Sequence, residues 1–303
     1  MRALKIVPLL LAVFLAGCGG TSAPVSVLYA GSLTNLMEQG IGPGFQKQTG
    51  IGYQGQGAGS VALVNAIKDK TKSGDVFISA DPDVNKSLMP DWERWYLTFA
   101  RTTMVVGYSA KSRFATDFEE AKNGSRPWYA VLEQPGLRLG RTDPELDPKG
   151  YRTLFTLELA ADFYHQPSLE QQVLSQTAVF PEETLETRLE SGALDAGFFY
   201  LNEAAEKQLP YISLPDEVNQ GNAARGAQYA TVSYTSAKGQ TFQGGPILYT
   251  VGVLEHGHNT AAGERFVEFL MSAEGQSVMQ QHGLLAAPAL YGGDRSAIPA
   301  AQT

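Results

Sequence analysis

The chain has 303 residues and a formal net charge of −8, from 23 lysines and arginines against 31 aspartates and glutamates. That acidity argues against nucleic acid or an anionic lipid surface as a partner, and the single cysteine excludes an internal disulfide. The roughly 285 residues beyond an N-terminal leader are long for one compact core, so two lobes are expected.

Residues 1–17 read as an export signal. Arg2 and Lys5 precede an apolar run from Ile6 to Leu15, which Leu15-Ala16-Gly17-Cys18 closes. Cys18 is the expected lipid acceptor, each buried methylene of its acyl chains contributing about 0.8 kcal/mol of membrane affinity. Residues 18–24 form a small-residue tether, Gly-Gly-Thr-Ser-Ala-Pro after the cysteine. The body is expected outside the cytoplasm, in the periplasm or at the cell surface, lipid-anchored to a membrane. No later apolar stretch is long enough to span one.

From Val25 to Ala30 the chain reads as a buried strand, and Gly31-Ser32 then opens a helix carrying Leu33, Leu36 and Met37. The unit recurs: a glycine-rich polar stretch from Gln54 to Gly59 leads to Ser60 and a helix with Val61, Leu63, Val64 and Ile67. Asp75 to Ala80 is a strand running into Asp81-Pro82, and Trp92, Trp95 and Tyr96 read as core or hinge packing. Further strands are expected at Thr103–Tyr108, Leu137–Gly140, Ala196–Tyr200 and Pro246–Val251, with helices at Tyr151–Phe163, Ala261–Met271 and Ala273–His282. Alternation of this kind predicts an α/β fold with largely parallel sheets.

Ser32 and Ser60 each open a helix just where a strand has ended. Backbone N–H groups and the helix dipole favour a bound oxyanion there, and ligands of open α/β sheets lie beyond the carboxyl ends of strands. Serine is also a favoured N-cap, so either residue alone could simply cap its helix. Gly55 to Ser60 lacks the lysine of a nucleotide loop, and His256-Gly257-His258 reads as a surface turn without a third metal ligand nearby. Neither a Gly-x-Ser-x-Gly elbow nor a zincin helix occurs.

Ala30-Gly31-Ser32-Leu33-Thr34-Asn35, Gly57-Ala58-Gly59-Ser60, Gly74-Asp75-Val76-Phe77-Ile78-Ser79-Ala80-Asp81 and Asp147-Pro148-Lys149-Gly150-Tyr151-Arg152 follow one another along the chain. In that order they resemble the molybdate/tungstate-binding proteins of ABC importers, in the branch first known from archaea. The resemblance implies a two-lobe periplasmic-binding-protein fold of type II, with a ligand cleft between lobes joined by a two-crossing hinge. Lobe 1 would comprise residues 25–97 plus 246–303 and lobe 2 residues 98–245.

The resemblance further implies that Ser32 and Ser60 donate hydrogen bonds to the oxo groups and that Asp147 binds the metal centre. A second carboxylate opens a helix eighteen residues before a tyrosine that ends the next strand, a spacing met by Glu182 and Tyr200, with Glu183 as the register competitor. Two carboxylates facing a dianion repel it strongly unless a bond compensates. Hexavalent tungsten or molybdenum is a hard centre that prefers oxygen ligands, so coordination by Asp147 and Glu182 would make it six-coordinate and discriminate against sulfate and phosphate. Read without the resemblance, Asp147 is a helix cap before Pro148 and Glu182 sits on a solvated first turn. Lys149 stands where the branch commonly has a small residue or cysteine. Its backbone N–H is a candidate donor to an oxo group, and its side chain either adds a charge to the cleft or points to solvent, the commoner fate of a lysine.

The implied protein is a monomeric receptor without a cofactor, not an enzyme, that delivers its oxyanion to an ABC permease. The alternatives are a receptor for sulfate or phosphate on the same fold, and an extracytoplasmic hydrolase using the two carboxylates as acid and base.

Overall fold

The computed structural model of the protein describes residues 23–298. The export signal, Cys18 and most of the tether lie outside the described residues. The chain opens with β1 (Val25–Ala30), a 3-10 turn (Gly31–Leu33), a wide π turn (Leu36–Ile41), α1 (Gly42–Thr49), β2 (Tyr53–Ala58), α2 (Ser60–Lys68), β3 (Val76–Ser79), α3 (Pro82–Lys86) and β4 (Trp95–Arg101). The second lobe continues with β5 (Met104–Tyr108), α4 (Ala115–Lys122), α5 (Trp128–Leu132), β6 (Leu139–Thr142), α6 (Pro148–Phe163), α7 (Leu169–Ser175) and β7 (Thr177–Phe180). It ends with α8 (Glu182–Glu190), β8 (Ala196–Tyr200), α9 (Leu201–Glu206), β9 (Tyr211–Ser213), α10 (Gly226–Tyr229) and the hairpin of β10 (Ser233–Thr235) and β11 (Thr241–Gln243). Finally β12 (Leu248–Val253), α11 (Thr260–Met271), α12 (Ala273–Gln281), β13 (Leu285–Ala286) and β14 (Tyr291–Gly293) rejoin the first lobe.

Each lobe is built on its own sheet, in the order β13-β4-β12-β3-β1-β2 with β14 also on β4, and β7-β6-β8-β5-β9. The central strands β3, β8 and β12 are buried at every position, as near-continuous apolar runs covered on both faces must be. The two-lobe α/β architecture is as expected, but the sheets are mixed rather than largely parallel. Strand β1 runs parallel to β2 and β3, whereas β12 runs antiparallel to β3 and β4. The cause is the hinge: the chain re-enters lobe 1 where β4 left it, so Leu248 pairs with Arg101 and β12 must run back down the sheet. Thr102 N–H donates to the Ile247 carbonyl at 3.2 Å, tying the two crossings side by side. The boundary expected at residues 97 and 98 falls inside β4, which stays in the first sheet through Arg101.

The polar glycine-rich stretch from Gln54 to Gly59 is largely strand β2. It occupies a sheet edge and pairs with β1 in register from Val25 with Tyr53 to Ala30 with Ala58, so it needs no apolar side chains. At Gly57 a Cβ would fall 2.7 Å from a ring carbon of Tyr29, which explains the absence of a side chain there. Trp95 and Tyr96 are buried on β4, and Trp92 meets His256 edge-on at 5.3 Å between centroids, so the aromatic group packs as expected and His256 lies on an exposed turn.

Candidate functional site

Strands β1 and β3 end at the face of lobe 1 that meets lobe 2. Ser32 follows β1 and is 3% exposed, and Ser60 opens α2 and is fully buried. Neither hydroxyl caps its helix, because the N-cap positions are Ala30 and Gly59. Ser32 Oγ lies 3.0 Å from Tyr249 Oη. Ser60 Oγ accepts the Ala80 N–H at 3.3 Å, which leaves its own proton to donate. The capping alternative for the two serines is thus set aside.

Lobe 2 contributes the charged groups. Asp147 does cap α6, with Pro148 at the first helical position, and its Oδ1 accepts the Lys149 N–H at 3.2 Å. Glu182 opens α8 and is 8% exposed while Glu183 faces solvent, so Glu182 is the inward member of the pair and not a residue of a solvated turn. Tyr200 ends β8 with its side chain fully buried.

Of the two placements open to the Lys149 side chain, the structure has the cleft and not solvent. Its side chain is 1% exposed and its ammonium sits 2.5 Å from Glu203 Oε1 and 3.4 Å from Glu182 Oε1. Three carboxylates nearby offset the cost of burying the ammonium, because the low-dielectric interior strengthens their attraction. Its backbone N–H is taken by Asp147 and is not free for an external ligand. Burial works against the ammonium, but Glu203, Glu182 and Asp147 outweigh it and hold the Lys149 pKa above the usual lysine value. Burial pushes the Asp147 pKa up to about 6 against the lowering effect of the Lys149 charge. Burial and then the Asp147 charge push Glu182 well above the ordinary range for glutamate.

The lobes are closed on each other. Ala62 N–H of α2 donates to the Leu146 carbonyl at 3.0 Å, Asn202 Nδ2 donates to the Ser32 carbonyl at 2.8 Å, and Arg152 pairs with Asp81 at 2.5 Å, both side chains 2% exposed. The glycine before each serine makes room for the opposite lobe. A Cβ on Gly59 would lie 3.1 Å from the Leu146 carbonyl carbon and 3.2 Å from Asp147 Cβ, and one on Gly31 would lie 2.8 Å from Glu182 Cδ. Within this closed interface Asp147 Oδ2, Glu182 Oε2, Tyr200 Oη and Thr142 Oγ1 are buried without a hydrogen-bond partner. A cavity of about 200 Å³ borders the two carboxylates, lined by Gly59, Leu146, Asp147, Pro181, Glu182 and Glu183. A larger one of about 480 Å³ lies at the far end of lobe 1 beside Trp92 and His256, remote from these groups.

Sequence reasoning missed Glu203, Asn202, Tyr249, Thr142 and the bridge from Asp81 to Arg152. Only Glu203 left a local signal, as a glutamate at the third helical position of α9 whose Oε2 accepts the N–H of the N-cap residue Tyr200. Among the described residues no cluster of three or more His, Cys, Asp or Glu side chains is arranged to hold a free metal ion.

Residues 25–285 match the family model described as bacterial extracellular solute-binding protein. The chain is 36% identical over 263 residues to a Haloferax volcanii protein named for molybdenum binding in an ABC transporter, covering 86% of this chain and 82% of that one. It is 31% identical to a Thermococcus kodakarensis molybdate/tungstate-binding protein, covering 90% of this chain and 88% of that one. Among solved structures, the Azotobacter vinelandii periplasmic molybdate-binding protein superposes with a TM-score of 0.62 at 18% identity, over 87% of this chain and all of that one. The Mycobacterium tuberculosis sulfate-binding protein superposes at 0.59 with 15% identity, over 88% of this chain and 87% of that one. On the match to its family model and on these relatives, the chain belongs to the bacterial extracellular solute-binding proteins.

Proposed function

We propose that this protein is an extracytoplasmic receptor for tungstate or molybdate that closes on the oxyanion and delivers it to an ABC permease. The observation that carries the reading is the pair of buried carboxylate oxygens, Asp147 Oδ2 and Glu182 Oε2, that have no hydrogen-bond partner in the closed cleft. An unpartnered buried acceptor costs about 1–3 kcal/mol, more when charged. Two of them on one interface call for a ligand that satisfies acceptors.

Sulfate supplies only more acceptor oxygens, so the two carboxylates would repel it across a low-dielectric gap, and phosphate at neutral pH brings P–OH donors for them but no electrophilic centre. A hexavalent metal centre supplies what carboxylates bind, an electrophile that prefers hard oxygen ligands. In this reading Asp147 and Glu182 coordinate the metal while Ser32, Ser60 and Tyr200 donate to its oxo groups. Both molybdate-related names among the relatives support the same ligand, whereas the sulfate-binding fold neighbour marks the rival that the carboxylates disfavour.

Closure is the signal the permease would read. Ligand contacts from both lobes favour the closed form, and the two crossings at Thr102 and Ile247 act as the hinge. Cys18, lipidated, would keep the receptor at the membrane while the tether gives it reach. The purified protein, titrated by calorimetry with tungstate, molybdate, sulfate and phosphate, should bind the first two at one per chain and give no heat with the others. Sulfate binding as tight as tungstate binding would contradict the reading.

A further inference from the structure

A fully buried lysine is rare unless it is paired, and the pairing of Lys149 is directional. Behind it, Glu203 is fixed by the backbone, since its Oε2 accepts the Tyr200 N–H at 2.8 Å. Glu203 Oε1 then holds the ammonium at 2.5 Å, and the rings of Phe199 and Tyr200, 5.6 and 5.7 Å away, flank it. In front, the ammonium reaches Glu182 Oε1 at 3.4 Å. Meanwhile the backbone N–H of the same residue holds Asp147 Oδ1 at 3.2 Å.

One residue therefore takes one oxygen from each of the two carboxylates. The atoms it leaves are Asp147 Oδ2 and Glu182 Oε2, the two carboxylate oxygens buried without partners. We infer that Lys149, anchored by Glu203, is a positioning residue for the oxyanion: it pins both acidic ligands so that each presents a single, defined oxygen to the metal centre. This rests on the tungstate or molybdate reading above.

An unpinned Glu182 has two equivalent oxygens, which can both face one metal or turn away from it. Pinning removes that choice and also cancels one of the three negative charges that a dianion would meet. The side chain acts through Glu182, and the main-chain N–H acts on Asp147, so a substitution at 149 releases Glu182 first.

The test is a double-mutant cycle on tungstate affinity, measured by calorimetry with thermal midpoints recorded alongside. Lys149→Met with Glu203→Gln removes the ammonium and its anchor together, so the net charge of the core is unchanged and only Glu182 loses a partner. The expected result is a thermal midpoint near that of the wild type and tungstate binding weaker by about tenfold or more. Glu182→Gln should then cost far less in that background than in the wild type, because the two changes break the same arrangement. Wild-type affinity in the folded double variant, or an equal Glu182→Gln effect in both backgrounds, overturns the inference. Should that variant not fold, Lys149→Arg keeps the charge but replaces a compact ammonium with a longer planar fork. It should lower affinity about tenfold at an unchanged midpoint, and wild-type affinity there overturns the inference equally. A wild-type protein that binds neither tungstate nor molybdate overturns the functional reading and this inference with it, whereas wild-type binding with additive effects overturns the inference alone.

Discussion

Gly59→Ala separates closure from folding. The backbone at Gly59 has φ −54° and ψ 131°, which alanine adopts without strain, so lobe 1 itself tolerates the change. In the closed form, however, the new Cβ would sit 3.1 Å from the Leu146 carbonyl carbon and 3.2 Å from Asp147 Cβ, with the carbonyl oxygen nearer still. Carbon atoms prefer about 3.5–4.0 Å, and the obstacle is main chain of the opposite lobe, which cannot swing aside. The lobes must stop short, and the hydrogen bond from Ala62 N–H to that same carbonyl, 3.0 Å long, is broken. Leaving the buried groups of that bond unpaired costs about 1–3 kcal/mol, so tungstate affinity should fall by about 5-fold to 150-fold. The thermal midpoint without ligand should stay level or rise, since a compatible Gly→Ala change stabilises by about 0.4–1 kcal/mol. Calorimetry paired with thermal melts reads both quantities. Wild-type affinity in this variant would refute the argument, because the bound state could not then have Leu146 seated on Gly59.

Two further outcomes follow from the charged groups. Arg152→Met leaves Asp81 charged and buried and removes a bond of 2.7 Å to the Gly245 carbonyl at the second crossing, so denaturant melts should show a loss of about 3–5 kcal/mol; a loss under 1 kcal/mol would mean the bridge is not formed in solution. The Asp147 pKa of about 6 lies above the usual unfolded value near 3.9, so the folded protein holds that proton more tightly. Its contribution to stability is full below about pH 4 and is lost as the pH rises to about 6. Ligand-free stability should therefore fall over that interval, while tungstate affinity, which needs the ionised carboxylate, should rise by up to about tenfold per pH unit. Asp147→Asn should flatten the stability trend, and an unchanged slope would assign it to another group.

The parts of the molecule legible in the sequence are those set by local rules. Apolar runs such as Val76-Phe77-Ile78 and Ala196 to Tyr200 must be buried, and glycine-serine turns after strands place helix N-termini at the strand ends. Asp147-Pro148 announces a cap and a first helical residue, and both occur. What stayed hidden depends on partners far away. Lys149 reads as a surface lysine until Glu203, 54 residues on, is brought beneath it. Arg152 meets Asp81 across 71 residues, and β12 reverses direction only because the hinge returns the chain beside Arg101. Strand β2 carries no apolar pattern of its own, because an edge strand paired to β1 needs neither apolar nor β-branched residues.

X-ray absorption at the tungsten edge of the loaded protein tests the central claim most directly, that Asp147 and Glu182 bind the metal. The account predicts two longer oxygen neighbours beyond the short oxo bonds, with the number reduced by Asp147→Asn and by Glu182→Gln. A spectrum of four short oxo bonds alone, the same in both variants, would contradict it and leave the buried carboxylates without the role proposed here.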